Sequence, residues 1–180
     1  MKKFIPLALI ALLATSCGNN PSSTKMKDTA MSTNPAMESK TSMTEKNKAA
    51  ALASIQAFNN HNADDVLKDA TADAIDYGDG SMPPTKGKDS IKAGIQTFLK
   101  SFPDVKGENL MTFAEGDQVV IIGDWSGTFK NDFMGMKANG KSYKYKDADI
   151  FTFNSSGQMT EHRSIQSGLT MWSQLGVKMK

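Results

Sequence analysis

A single cysteine, Cys17, stands among the 180 residues, so no intramolecular disulfide can form. Histidine is almost as scarce: only His61 and His162 are present, and with one Cys no zinc-type spacing of ligands exists. No metal site is therefore expected. No apolar run reaches the length of a membrane-spanning helix. A dinucleotide glycine pattern, a phosphate-binding loop and a Ser-His-Asp order are also missing. Charge is balanced at 21 basic and 19 acidic residues, and without Lys2 and Lys3 the balance is 19 against 19. Nothing in that balance offers a footprint for nucleic acid.

The chain divides into three parts. Residues 1–16 carry the Lys2-Lys3 head, an apolar run from Phe4 to Leu13, and the small residues Ala14, Thr15 and Ser16. That pattern reads as a secretory signal peptide. A lone Cys17 directly after small residues resembles a bacterial lipobox, in which the cysteine is lipidated and becomes the mature N-terminus. The expectation is a membrane-anchored lipoprotein of the bacterial cell envelope, periplasmic or at the outer membrane. Ordinary cleavage leaving a free thiol is the alternative. Residues 17–43 lack aromatic and branched aliphatic side chains, so they cannot bury enough surface to offset ordering entropy and read as a flexible tether. Residues 44–180 hold the hydrophobic periodicity and form the expected domain.

Within the domain, Ser42-Met43-Thr44-Glu45 has capping-box spacing, and Leu52, Ile55 and Phe58 recur on one face. A first helix is predicted over about residues 44–60. Asn62 three places before Asp65 predicts the cap of a short second helix. A strand over residues 72–77 precedes a Gly- and Pro-rich loop at 78–87. A third helix over residues 88–101 presents Ile91, Ile95, Phe98 and Leu99 and stops before Pro103. Four strands follow, at about residues 106–114, 118–129, 141–154 and 158–167. Helices first and strands last make an α+β fold rather than alternating βαβ units.

Alternation in the third of these strands places Tyr143, Tyr145, Asp147, Asp149, Phe151 and Phe153 on one face. An acid among aromatics is costly to bury unpaired, and a raised pKa is the usual consequence. Asp149 is therefore the first candidate for a pocket acid or base, against a solvated or lysine-paired carboxylate near a strand end. His162, with Thr160, Ser164 and Gln166 on one face of the last strand, can relay a proton near neutral pH or serve as a structural hydrogen-bonding residue. If both face one cavity, Asp149 and His162 form a dyad. Asp76 and Asp79 sit at a pocket mouth or in a plain surface turn. Trp125 is pocket wall or core, and its indole N–H wants a partner in either case. His61 is explained as a cap on the last carbonyls of the first helix.

The segments FNNHN (residues 58–62), KGKDSIKAGIQTF (86–98), SFPD (101–104), GTF (127–129) and FMGM (133–136), in this order, resemble the SnoaL-like branch of the nuclear transport factor 2 superfamily. The resemblance spans about residues 46–177. It implies a cone in which a curved antiparallel sheet and N-terminal helices enclose a small-molecule pocket, here with Asp76, Trp125, Tyr145 and Gln166 among its lining. It also implies cofactor-free proton transfer of the polyketide cyclase or ester cyclase type, or isomerase-like chemistry, and dimerisation through the open face of the sheet. The family's cyclases place a Trp after the His and an Asp a few residues later. Here Arg163, Ser164, Gln166 and Ser167 occupy that stretch, so their acid–base residue does not carry over. The expected partners are a small, partly apolar organic ligand, a second copy of the chain, and a membrane reached only through the lipid on Cys17.

Overall fold

The computed structural model describes residues 35–177. The expected signal peptide, Cys17 and the first part of the expected tether lie outside the described residues. Helix α1 runs Pro35–Asn59 and so begins nine residues ahead of the predicted start at residue 44. Proline suits a first helical position, and the Ala, Met, Glu and Lys that follow favour helix with no breaker among them. Helix α2 (Ala63–Val66) is short, and the Asn62 side chain accepts the Asp65 N–H as expected. Strand β1 (Ala70–Asp76) follows, then β2 (Thr85–Lys86) and α3 (Lys88–Ser101). Strands β3 (Lys106–Glu115), β4 (Gln118–Thr128), β5 (Ser142–Phe153) and β6 (Met159–Ser164) lead to α4 (Gly168–Leu175).

The six strands form one curved, unclosed sheet in the order β2-β1-β6-β5-β4-β3. Four pairings are antiparallel and one, between β1 and β6, is parallel. Strand β4 alternates strictly between buried and half-buried residues, so one face is interior and the other open. The interior face carries Val119, Ile121, Gly123, Trp125 and Gly127 of β4 against Tyr143, Tyr145, Asp147, Asp149, Phe151 and Phe153 of β5. Curvature enters through a bulge in β3 between Glu108 and Met111, where Asn109 has φ 52°.

Two clusters fill the inside of the curve. One joins Ala51 and Ile55 of α1 to Ile121, Trp125, Phe151 and Met159. The other is aromatic, with Phe102, Phe129, Tyr143 and Trp172 in mutual contact, and α4 closes it. Trp125 lies flat over Gly107 of β3, where a Cβ would come within 3.0 Å of its ring. Phe58 meets the same indole edge-on, with centroids 5.6 Å apart. His61 does not cap α1: its Nε2 lies 3.2 Å from the Val105 carbonyl and ties the helix end to the start of β3.

Candidate functional site

Neighbouring strands bring three predicted residues into one row. His162 of β6 pairs with Phe151 of β5 on one side and with Asp76 of β1 on the other. Because side chains at paired positions share a face, the imidazole is enclosed between two acidic strands. His162 Nδ1 lies 3.0 Å from Asp76 Oδ1, and Nε2 lies 3.3 Å from Asp149 Oδ1. The imidazole thus bridges two carboxylates, and its ring sits 5.0 Å from that of Phe151.

The electrostatics follow from that bridge. Burial alone would lower the His162 pKa, but the hydrogen bonds to Asp149 and Asp76 and their charges outweigh it and push the group up to about 10. It is an imidazolium at neutral pH. Burial would raise Asp76, yet the hydrogen bond and charge of His162 and the Gly78 N–H hold it below the usual carboxylate range. Asp149 moves the other way. Burial pushes its carboxyl up, His162 pulls it partly back, the Asp147 charge adds to the rise, and the Trp125 indole N–H again favours the anion. The two acids are therefore inequivalent: their surroundings favour the charged form of Asp76 and the neutral form of Asp149.

Asp149 is only 7% exposed, and its Oδ2 has no hydrogen-bond partner in the protein. Trp125, 8% exposed, likewise has an unpartnered indole N–H. An unmade hydrogen bond of this kind costs about 1–3 kcal/mol per group.

Asp147, two residues before Asp149 on the same face, has a different task. One carboxylate oxygen accepts the backbone N–H groups of Ile165 and Gln166, at 3.2 and 2.7 Å, and the other accepts the Ser164 hydroxyl. It ties down the turn between β6 and α4. The alternation of β5 exposes this residue as readily as Asp149, but its partners lie 17 to 19 residues away and carry no sequence signal. Asp79 clamps the same region from the other side. Its Oδ2 accepts the Gly168 N–H at 2.6 Å and its Oδ1 accepts the Ser81 N–H at 3.0 Å. Asp79 thus belongs to a turn, as one reading held, while Asp76 faces inward.

Tyr145 shares the interior face, and burial together with the charges of Asp147, Asp149 and Asp79 pushes its phenol well above the ordinary value. Gln166 is not joined to the pair, since its side-chain amide donates to Thr170 Oγ1 at 2.6 Å. A cleft of about 290 Å³ opens elsewhere, between α1, α2 and the end of the sheet. It is lined by Ala50, Ser54, Val66, Phe153 and Met159 and does not include Asp149 or His162. Among the described residues no cluster of His, Cys, Asp and Glu is arranged to hold a metal ion.

The fold recurs among solved structures. A candidate polyketide cyclase of Xanthomonas campestris pv. campestris is 18% identical with a TM-score of 0.68, over 74% of this chain and 98% of that one. AclR of Streptomyces galilaeus, a candidate hydroxylase, is 22% identical with a TM-score of 0.63, over 74% of this chain and 97% of that one. A Catenulispora acidiphila protein with a ketosteroid isomerase-like fold, solved with trimethylamine, is 15% identical with a TM-score of 0.61, over 72% and 93%. At such identities these likenesses speak for the fold. No curated protein matches the chain. The profile of the SnoaL-like polyketide cyclase matches residues 48–175, which takes in every strand of the sheet and the whole of the Asp76–His162–Asp149 bridge. The chain belongs to the SnoaL-like polyketide cyclase family.

Proposed function

We propose that this domain binds a small, partly apolar organic molecule and moves a proton on it, with Asp149 as the group that takes up and returns the proton. The observation that carries this reading is the buried Asp149 carboxylate, with one oxygen on His162 and the other without a protein partner. A proton leaving the ligand goes to Asp149 Oδ2 and is redelivered to another atom of the same molecule, so no co-reactant is consumed. His162 stays protonated throughout, because Asp76 balances its charge when Asp149 is neutral. His162 and Asp76 are positioning residues in this scheme, and Tyr145 and Trp125 supply the apolar wall. Deuterium exchange at the activated carbon of bicyclic ketones, beginning with α-tetralone, tests it. The full chain is expected to accelerate exchange and Asp149→Asn to return it to the solvent rate. Equal rates for the two proteins would remove Asp149 from the role.

The same reading places the domain at the bacterial cell envelope through a lipid on Cys17. Its support is the Lys2-Lys3 head, the apolar run and the small residues before the cysteine. Labelled palmitate should enter the protein and fail to enter Cys17→Ser, which should leave the membrane fraction.

A second reading, self-association, rests on the open face of the sheet. Phe113 and Met111 are 57% and 49% exposed there, and register sets them beside Val120 and Ile122 of β4, with Ile150 and Ala148 of β5 beyond. An uncovered apolar strip of this kind marks an interaction surface. Sedimentation should find a dimer that Phe113→Asp turns into monomer; a monomeric wild type ends this reading.

A further inference from the structure

Two orphaned polar atoms of opposite type sit on the same interior face of the paired strands β4 and β5. Asp149 Oδ2 is an acceptor without a donor, and Trp125 Nε1 is a donor without an acceptor. The indole N–H faces Asp149 closely enough to favour its anion, but neither Nε1 nor Oδ2 completes a hydrogen bond of full length and angle with any protein group. The indole is held in that pose by Gly107 beneath it and Phe58 at its edge, so it cannot swing to find another partner. Gly123, on the same face, has no side chain of its own beside the indole nitrogen, and Leu110 Cδ2 fills that space, 2.8 Å from where a Cβ would stand.

A single group that accepts from Trp125 and donates to Asp149 would satisfy both atoms. An ammonium satisfies only the carboxylate, and an ether or ester oxygen only the indole. A hydroxyl does both. We propose that Asp149 and Trp125 form a two-point site for one ligand oxygen bearing a hydrogen, the hydroxyl of an enol or a phenol on an apolar ring system. Trp125 donates to that oxygen, and the oxygen donates to Asp149 Oδ2. Half-buried Leu110 and Tyr145 pack around the cluster and are the side chains that yield to admit the ring, while Phe58 keeps its contact with the indole. The inference rests on Asp149 lying at the ligand site, as proposed above, and adds what Asp149 and Trp125 select for.

The test uses the full chain, whose two tryptophans give two indole N–H signals in the nuclear magnetic resonance spectrum. Trp125→Phe assigns one by its loss. β-Naphthol is titrated in, with its methyl ether as the matched probe that can accept but not donate. β-Naphthol is expected to shift the Trp125 signal saturably and leave that of Trp172 in place. It is also expected to bind about tenfold more tightly than the ether, a preference that Asp149→Leu erases. Equal affinity for the two probes, saturation with the Trp125 signal unmoved, or no saturable binding overturns the proposal. The last two outcomes are those of a site filled by a buried water alone. A protein that holds β-naphthol in this way yet leaves ketone exchange at the solvent rate loses the proton-transfer reading and keeps this one. Accelerated exchange with an unmoved Trp125 signal does the reverse.

Discussion

Asp76 and His162 stand side by side on parallel strands, with Asp76 Oδ1 3.0 Å from His162 Nδ1. This contact leaves Nε2 facing Asp149 and so sets which nitrogen addresses which acid. Asp76→Asn removes the counter-ion while keeping the shape. The His162 pKa should fall from about 10, and proton exchange should slow because the imidazolium is no longer held when Asp149 is neutral. A His162 resonance followed through a pH titration checks the first, and an unshifted midpoint would refute it.

The pH dependence of stability carries a definite sign. His162 has a folded value of about 10 against an ordinary 6.5. Its stabilisation is therefore complete below about pH 6.5 and is lost as pH rises toward 10. Asp149, also raised, loses its contribution as pH rises through its own folded value. Asp76, lowered, contributes above 3.8 and loses that contribution only as pH falls further. Urea unfolding should show stability declining between pH 6.5 and 9.5, and His162→Gln should flatten the decline. A flat wild-type profile would contradict the bridge.

Gly107 lies under the Trp125 ring, where a methyl group would stand 3.0 Å from the indole and fit only if the ring gave way. Gly107→Ala should destabilise the domain by about 1–3 kcal/mol through overpacking and shift the indole. Urea midpoints measure the loss, and Trp125 fluorescence reports the displacement. A variant as stable as the parent would mean the ring moves freely.

Asp147 holds the turn into α4 through two backbone N–H groups and a hydroxyl. Asp147→Ala should cost about 1–3 kcal/mol, because the half-buried Gln166 N–H and Ser164 hydroxyl lose their acceptor. Amide exchange at Ile165 and Gln166 should accelerate more than at β4, whereas a uniform change would point to a global effect.

The legible parts were those with local punctuation. Helix α3 starts after Gly87 and ends before Pro103, with Ile91, Ile95, Phe98 and Leu99 between, and its residues match the expectation. The inward face of β5 was readable from alternation alone. The start of α1 was not, because the capping box at Ser42 competes with a better helix entry at Pro35. Strand β2 has only two residues inside a Gly- and Pro-rich loop, and pairing with β1 alone defines it. Helix α4 begins at Gly168, a poor helix former, and depends on the Ser167 cap and on burial of Met171, Trp172 and Leu175. At the site, Asp149 and His162 were visible because an acid among aromatics stands out. The inward turn of Asp76 depends on the parallel pairing of β1 with β6, which no periodicity announces.

That parallel pairing also orders events in time. Asp76 and His162 are 86 residues apart in the chain, and their contact spans α3 and the strands from β2 to β5. Closing a contact of such sequence separation carries a loop-closure cost that pairing of the intervening strands lowers. A nascent chain that has emerged only as far as β5 holds Asp76 as an ordinary carboxylate and Asp149 without its imidazole. The charged bridge thus joins the first long strand of the sheet to its last, and the three side chains meet only in a chain that has completed its sheet.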